Sequence, residues 1–385
     1  MNKRKLTSPL LKKDSHAPLI SVVLGLLTGS AIILAVTVSD AEISLKSGLE
    51  AVKLVLFGVF ATGRDASGEL AFNLNGSNMG DLLFRAVPVI MTGLSVAFSF
   101  KAGLFNIGAP GQYLIGATFT LITALSLPGS LPRWFVWLCA FFCGMVAGTF
   151  WGVIPGLFKA YLNINEVICG IMTNWIAANA VTLIFEESPL RNTVQSGKIG
   201  YIMPTAMKGV ATAKLGLDRL FPSSQINAGI IVAILFAIGI YVLLSKTTLG
   251  FEIKICGSNK AAAEYVGINH KAITVFSLAF SGALAAAGAS LYYLAGHTEF
   301  VWSAYQNLPK DGFNGIPVAL LASNNPVAII FTSLFMSALS VAGQQIKNLT
   351  AFNEFITDIV VAVILYLSAF SFFIGQRLKE RRKAD

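Results

Sequence analysis

Charge is scarce in this chain. Only 12% of its 385 residues are Asp, Glu, Lys or Arg, against ~25% in a soluble domain. So little charge cannot clothe a water-facing surface, and with 55% hydrophobic residues the sequence fits lipid. Cysteine and histidine are scarce too. Cys139, Cys143, Cys169 and Cys256 lie in or beside apolar segments, and His16, His270 and His297 are scattered. That distribution offers neither metal-ligand spacing nor a disulfide framework. Cys139 and Cys143 share a helix face, where small apolar packing explains them. Gly-x-x-x-x-Gly-Lys-Ser/Thr is missing, so the chain has no phosphate loop of that kind. His-Glu-x-x-His, Gly-x-Ser-x-Gly and paired aspartates are missing from the apolar segments, which removes the usual signatures of an intramembrane enzyme.

What is present is a succession of apolar segments, near 19–39, 50–62, 82–100, 110–127, 134–157, 165–186, 227–245, 271–296, 313–322, 326–343 and 356–375. A span needs about 20 mostly apolar residues. The segments 51–62 and 313–322 are too short for an ordinary span and suit re-entrant, interfacial or broken elements. The first run is longer than a signal-peptide core and lacks a convincing cleavage site, so it is expected to stay in the mature chain.

The formal charge of +9 is concentrated at the ends. Lys3, Arg4, Lys5, Lys12 and Lys13 precede the first segment, and Arg377, Lys379, Arg381, Arg382 and Lys383 follow the last. Basic residues flanking spans are retained on the cytoplasmic side, which explains them better than a nucleic-acid site. Lys101, Lys159, Lys246, Lys254, Lys260 and Lys271 should face the same side. If 51–62 does not cross and 313–322 does, turning at Ser323 to Pro326, about ten crossings satisfy every one of them. The expected fold is therefore an all-α, polytopic transmembrane helical bundle with broken or re-entrant helices. Residues 1–18 form a cytoplasmic tail, 19–376 the membrane domain and 377–385 a second cytoplasmic tail. Segment 187–226 falls outside the cell and 246–270 inside.

Gly144, Gly148, Gly152 and Gly156 recur on one helix face, and Gly282, Ala286 and Ser290 make a second small-residue stripe. Both are packing seams that let another backbone approach closely. The stretch Gly103 to Gln112 holds three glycines and Pro110, so no continuous helix is expected through it. Asn106 and Gln112 there are candidates for a substrate path, since broken helices free polar backbone groups for a solute. The alternative is a turn beside Lys101. Glu166, Gly170 and Thr173 share a face of the following polar segment, with Asn174 about 80° away. Glu166, Thr173 and Asn174 are further path candidates, although Glu166 also suits a helix first turn behind an Asn165 cap. In 246–270, Ser258 or Asn259 can cap a short helix over 260–266 that Gly267 ends. Such a helix is either a docking knob for a soluble partner or a plain connector. An ion-coupled secondary transporter would need buried acidic or histidine relays; Glu166 and Asp358, both near segment ends, are weak candidates.

Several strings together resemble the permease subunits of ABC importers in the branched-chain amino acid, ribose and nucleoside group, the nucleoside branch most closely. They are Phe105-Asn-Ile-Gly108, Gly111-Gln112, Asn165-Glu-Val-Ile168, Asn174-Trp175, Gly257-Ser-Asn259, Ala262-Ala-Glu-Tyr-Val-Gly-Ile268 and Gly312-Phe-Asn-Gly-Ile-Pro-Val-Ala-Leu-Leu321. The resemblance covers roughly 80–375. It implies nucleoside passage by alternating access, or ribose-like sugar as the alternative cargo, across a bacterial plasma membrane. It also implies a second, homologous permease as a heterodimer partner and an extracellular substrate-binding lipoprotein. ATP and Mg would be bound by a separate ABC ATP-binding subunit, leaving this chain without cofactor or catalysis. Gly257, Ser258, Asn259, Ala263, Glu264, Tyr265 and Gly267 would form the element coupled to that ATPase. Many relatives carry an acidic residue just after Asn-Ile-Gly-x, where this chain reads Ala109-Pro110-Gly111, so that group's role does not carry over.

Overall fold

The computed structural model describes residues 16–40, 43–193, 197, 200–302, 308–364 and 366–367. Both basic tails, on which the cytoplasmic placement of the termini rests, lie outside the described residues, as does the end of segment 356–375. The chain divides into two compact units, one of residues 74–338 and one of the flanking residues on either side.

In the smaller unit, α1 (His16–Ser39) packs beside α2 (Leu45–Phe57), Gly48 resting against the Thr37 side chain. Ser44 caps α2 by accepting from the Ser47 N–H. The apolar segment read as 51–62 ends sooner than its composition suggests. After α2 the chain turns at Gly58–Phe60 into an antiparallel hairpin, β1 (Ala61–Arg64) and β2 (Leu70–Phe72). Positive φ at Gly63 and Gly68 permits the bulge and the turn, and Asp65 holds the tip by accepting from the Ser67 and Glu69 N–H groups. Arg64 donates to both Glu50 oxygens, at 3.1 and 2.6 Å, and to the Leu349 carbonyl. Those bonds hold the Glu50 carboxyl below its usual range.

The larger unit begins with α3 (Gly76–Lys101), α4 (Ala109–Ser126), α5 (Arg133–Leu162), α6 (Glu166–Glu186), the short α7 (Leu217–Leu220) and α8 (Gly229–Lys246). It continues with α9 (Thr248–Ser258), α10 (Lys260–Tyr265), α11 (His270–Tyr293), α12 (Lys310–Leu321) and α13 (Pro326–Leu349), whose last residues fall in the other unit. Among the described residues, seven helices are long and apolar enough to cross a membrane: α1, α3, α5, α6, α8, α11 and α13. The other three segments counted toward ten crossings hold α4, α12 and a helix over 356–364.

Burial separates inner from outer helices. The apolar windows of α3 and α11 are 83% and 78% buried, those of α5 and α8 only 28% and 33%. Outward-facing Phe142, Phe150, Leu235 and Ile238 are exposed yet apolar, a surface suited to lipid.

The two small-residue stripes face each other. A Cβ on Gly148 would strike Gly282 and Ala286, one on Gly152 would strike Leu278 and Ala279, and one on Gly156 would strike Val275. The seam is therefore internal, α5 against α11. The predicted turn after α12 is also present, with Ser323 and Asn324 at φ 50 and 56° and Asn325 accepting from the Val327 N–H at the start of α13. Segment 187–226 is largely irregular but tied down: Ile202 donates to Phe300, Thr212 to Leu294, and the Trp137 indole to the Thr212 hydroxyl.

Candidate functional site

The chain is interrupted where proline and glycine predicted it. α3 ends at Lys101, Gly103 takes φ +71°, and α4 starts at Ala109 with Pro110 in its first turn. Proline suits that position because its missing N–H would have had no helical partner. Inside the turn, Asn106 and Gln112 exchange amide bonds at 2.8 and 3.2 Å, and Asn106 also donates to the Ser95 hydroxyl on α3 at 3.2 Å. Asn174 on α6 closes the network, accepting from the Gly111 N–H at 2.8 Å and donating to the Ile107 carbonyl at 2.9 Å. The three amides are buried; Asn106 and Gln112 bond to each other, and Asn174 bonds to the backbone of the turn. They join α3, α4 and α6 around one turn.

Thr173 donates to its own helix at Gly170, and Gly170 lies against Gly108 of the turn. Glu166 forms an ion pair with Lys159 of α5 at 2.8 Å behind the Asn165 cap, which accepts from Val167. Four of the five path candidates thus meet at the turn or beside it, and Glu166 braces the α5–α6 junction.

The basic residues gather at the same end of this unit. The Lys271 ammonium sits 5.4 Å from the Tyr161 ring centre at the end of α5. Lys101 lies beside the end of α9, where a Cβ on Gly257 would strike the Lys101 carbonyl and the Gly103 nitrogen. Asn259 caps α10 by accepting from the Ala262 N–H at 3.1 Å, and Gly267 follows the helix at φ +79°. Of the residues expected to couple, Ala263 is buried, whereas Tyr265 is 92% exposed with Val266 beside it. Glu264 reaches His270 at 2.9 Å, closing the loop onto α11.

The family described as branched-chain amino acid transport system / permease component matches residues 78–369. The chain belongs to that permease family. The permease is 30% identical to the guanosine ABC transporter permease protein NupP of Bacillus subtilis, over 97% of this chain and 99% of NupP. It is 34% identical to the nucleoside ABC transporter permease protein NupB of Lactococcus lactis, over 79% of this chain and 82% of NupB. It is 33% identical to the glucose ABC transporter permease protein TsgB13 of Haloferax volcanii, over 82% of each.

Sequence inspection of the permease missed a second polar group. Asp311, just before segment 313–322, occupies the first turn of α12, near Arg85 of α3 and bonded to Asn314. The signal was available: a carboxylate directly preceding the Gly312 string.

Replacing Asn174 with alanine leaves the buried Gly111 N–H without its acceptor, at a cost of about 1–3 kcal/mol. The expected result is a lower melting temperature for the purified permease and slower uptake, with assembly retained; an unchanged melting curve would count against the network as a brace.

Proposed function

We propose that the permease is the membrane-spanning subunit of an ATP-driven nucleoside importer. The observation that carries this reading is the match to a guanosine ABC permease along nearly the whole of both chains. It also stands against an ion-coupled transporter. A nucleoside offers ribose hydroxyls and base edges, which neutral amides and aromatic rings can meet without binding too tightly for release. A sugar cargo is the second reading, favoured by the similarity to a glucose permease.

Four further parts belong to the proposal. ATP and Mg are bound by a separate ATP-binding subunit. A second, homologous permease completes the path, and a lipid-anchored binding protein delivers cargo outside. Both termini and the loop 246–270 face the cytoplasm. There α10 seats on the ATPase, with exposed Tyr265 and Val266 as its apolar contact. Motion of α10 reaches the path by a short route: the Gly257 backbone bears on the Lys101–Gly103 turn, which leads directly into the amide network. Asn106, Gln112, Thr173 and Asn174 act in the path as the hinge that reshapes it.

Uptake of labelled guanosine, adenosine, uridine, ribose and glucose, in cells with and without the permease, tests cargo. Loss of nucleoside uptake alone supports the first reading, loss of sugar uptake alone the second, and no loss removes both. Tyr265→Ala should cut ATP-driven uptake about tenfold, the equivalent of ~1.4 kcal/mol, at unchanged abundance in the membrane. Wild-type uptake by that variant would remove Tyr265 from the docking surface.

A further inference from the structure

The Asp311 group has the makings of a cargo contact. α12 reaches α3 and α4 closely because it carries glycine where it meets them: a Cβ on Gly312 would strike Pro110, and one on Gly315 would strike Thr92. Asp311 is thereby held inside the larger unit, half-buried, with Tyr113 of α4 and Tyr292 and Tyr293 of α11 in electrostatic reach. Tyr113 and Tyr293 meet edge to face, with ring centres 6.4 Å apart.

The position of Asp311 in a helix first turn is favourable by itself. That does not explain Tyr113, which is 0% exposed and whose hydroxyl has no partner among the described residues. The Trp302 indole nitrogen, packed on the same cluster, is also buried and has no partner among the described residues. Buried polar groups are otherwise nearly always paired, so an unpaired buried hydroxyl near a carboxylate, with an unpaired indole nitrogen in the same cluster, marks a place made for something that brings hydrogen-bonding groups. An ionised carboxylate has about four lone-pair sites, more than Arg85 nearby and the Asn314 bond need occupy. The half-buried rings of Tyr292 and Tyr293 add an aromatic wall.

We infer that Asp311, Tyr113 and Tyr292 form a transient contact site for the sugar of the cargo, the Asp311 carboxylate accepting from its vicinal hydroxyls while Tyr292 lies against the ring system. This deepens the nucleoside-importer reading and rests on it.

The test is uptake of guanosine, 2′-deoxyguanosine and 3′-deoxyguanosine by cells carrying the full transporter, each cargo at saturating concentration. At saturation the binding protein is loaded in every case, so the rate ratio reports the later, permease step. The wild type should carry guanosine about tenfold faster than either deoxy analogue, the worth of a charge-assisted hydrogen bond. Asp311→Asn should bring the ratio to within about twofold of one at wild-type abundance, with Asp311→Glu restoring part of it. An equal rate for all three cargoes in the wild type, or an unchanged ratio in Asp311→Asn, overturns the site while leaving guanosine import standing. Absence of any guanosine uptake would instead defeat the import reading. Should Asp311→Asn carry nothing, Tyr113→Phe decides: its ratio must fall at least about threefold, and an unchanged ratio overturns the proposal.

Discussion

Gly282→Val is expected to remove most folded permease from the membrane. A Cβ at this position meets the Gly148 carbonyl carbon at 3.0 Å and Gly152 Cα at 3.3 Å, both backbone atoms that no rotamer change can move. Overpacking a side-chain core costs about 1–3 kcal/mol. Here relief requires parting two helices along successive turns, which also forfeits dispersion contacts that are individually small and collectively large. Against a total stability of roughly 5–15 kcal/mol, the two costs together take a large share of the margin, and the folded yield falls with it. Size-exclusion chromatography of tagged, detergent-extracted protein reads the outcome. Gly239→Val on α8 is the matched control, because nothing lies within 4 Å of its added Cβ. Equal monodisperse yields from the two variants would refute the seam as a determinant of folding.

Gly257→Val should act elsewhere, abolishing transport more than folding. Its Cβ would strike the Lys101 carbonyl and the Gly103 nitrogen, pushing the end of α9 off the turn that precedes α4. None of the seven helices long enough to span is altered, so insertion should persist. Guanosine uptake should drop to background while the chain remains in the membrane and still co-purifies with the ATPase. Gly267→Val serves as comparison: nothing lies within 4 Å of that site either, and its cost is limited to the strain of φ +79°. Near-normal uptake by Gly257→Val would show that the contact carries no motion.

The features that were legible in the sequence are those written in local spacing. The four-residue rhythm of Gly144 to Gly156 and the stripe at Gly282 announce close approach, and the structure adds only that they approach each other. Asn165 and Asn259 cap the helices expected of them, and the turn at Ser323 to Asn325 falls where predicted. The hairpin at 61–72 was hidden because hydrophobic content extends past Phe57 without the alternation that betrays a strand. Asn106, Gln112 and Asn174 stand out as polar groups in an apolar setting, but their bonds depend on the shape of the turn and on α6 arriving from far along the chain. Asp311 is legible only as a carboxylate directly before the Gly312 string. Its neighbours Arg85, Tyr113 and Tyr292 come from three other helices, and no local pattern joins them.

The α5–α11 seam also restricts kinematics. Helices that touch backbone to backbone at Gly148, Gly152 and Gly156 can neither slide nor roll past one another without collision. They have no side-chain layer whose rotamers could take up a displacement. α5 and α11 therefore travel as one strut during any transport cycle. In the proposed importer, the strokes that open and close the path then fall to helices that meet through longer side chains and replaceable hydrogen bonds.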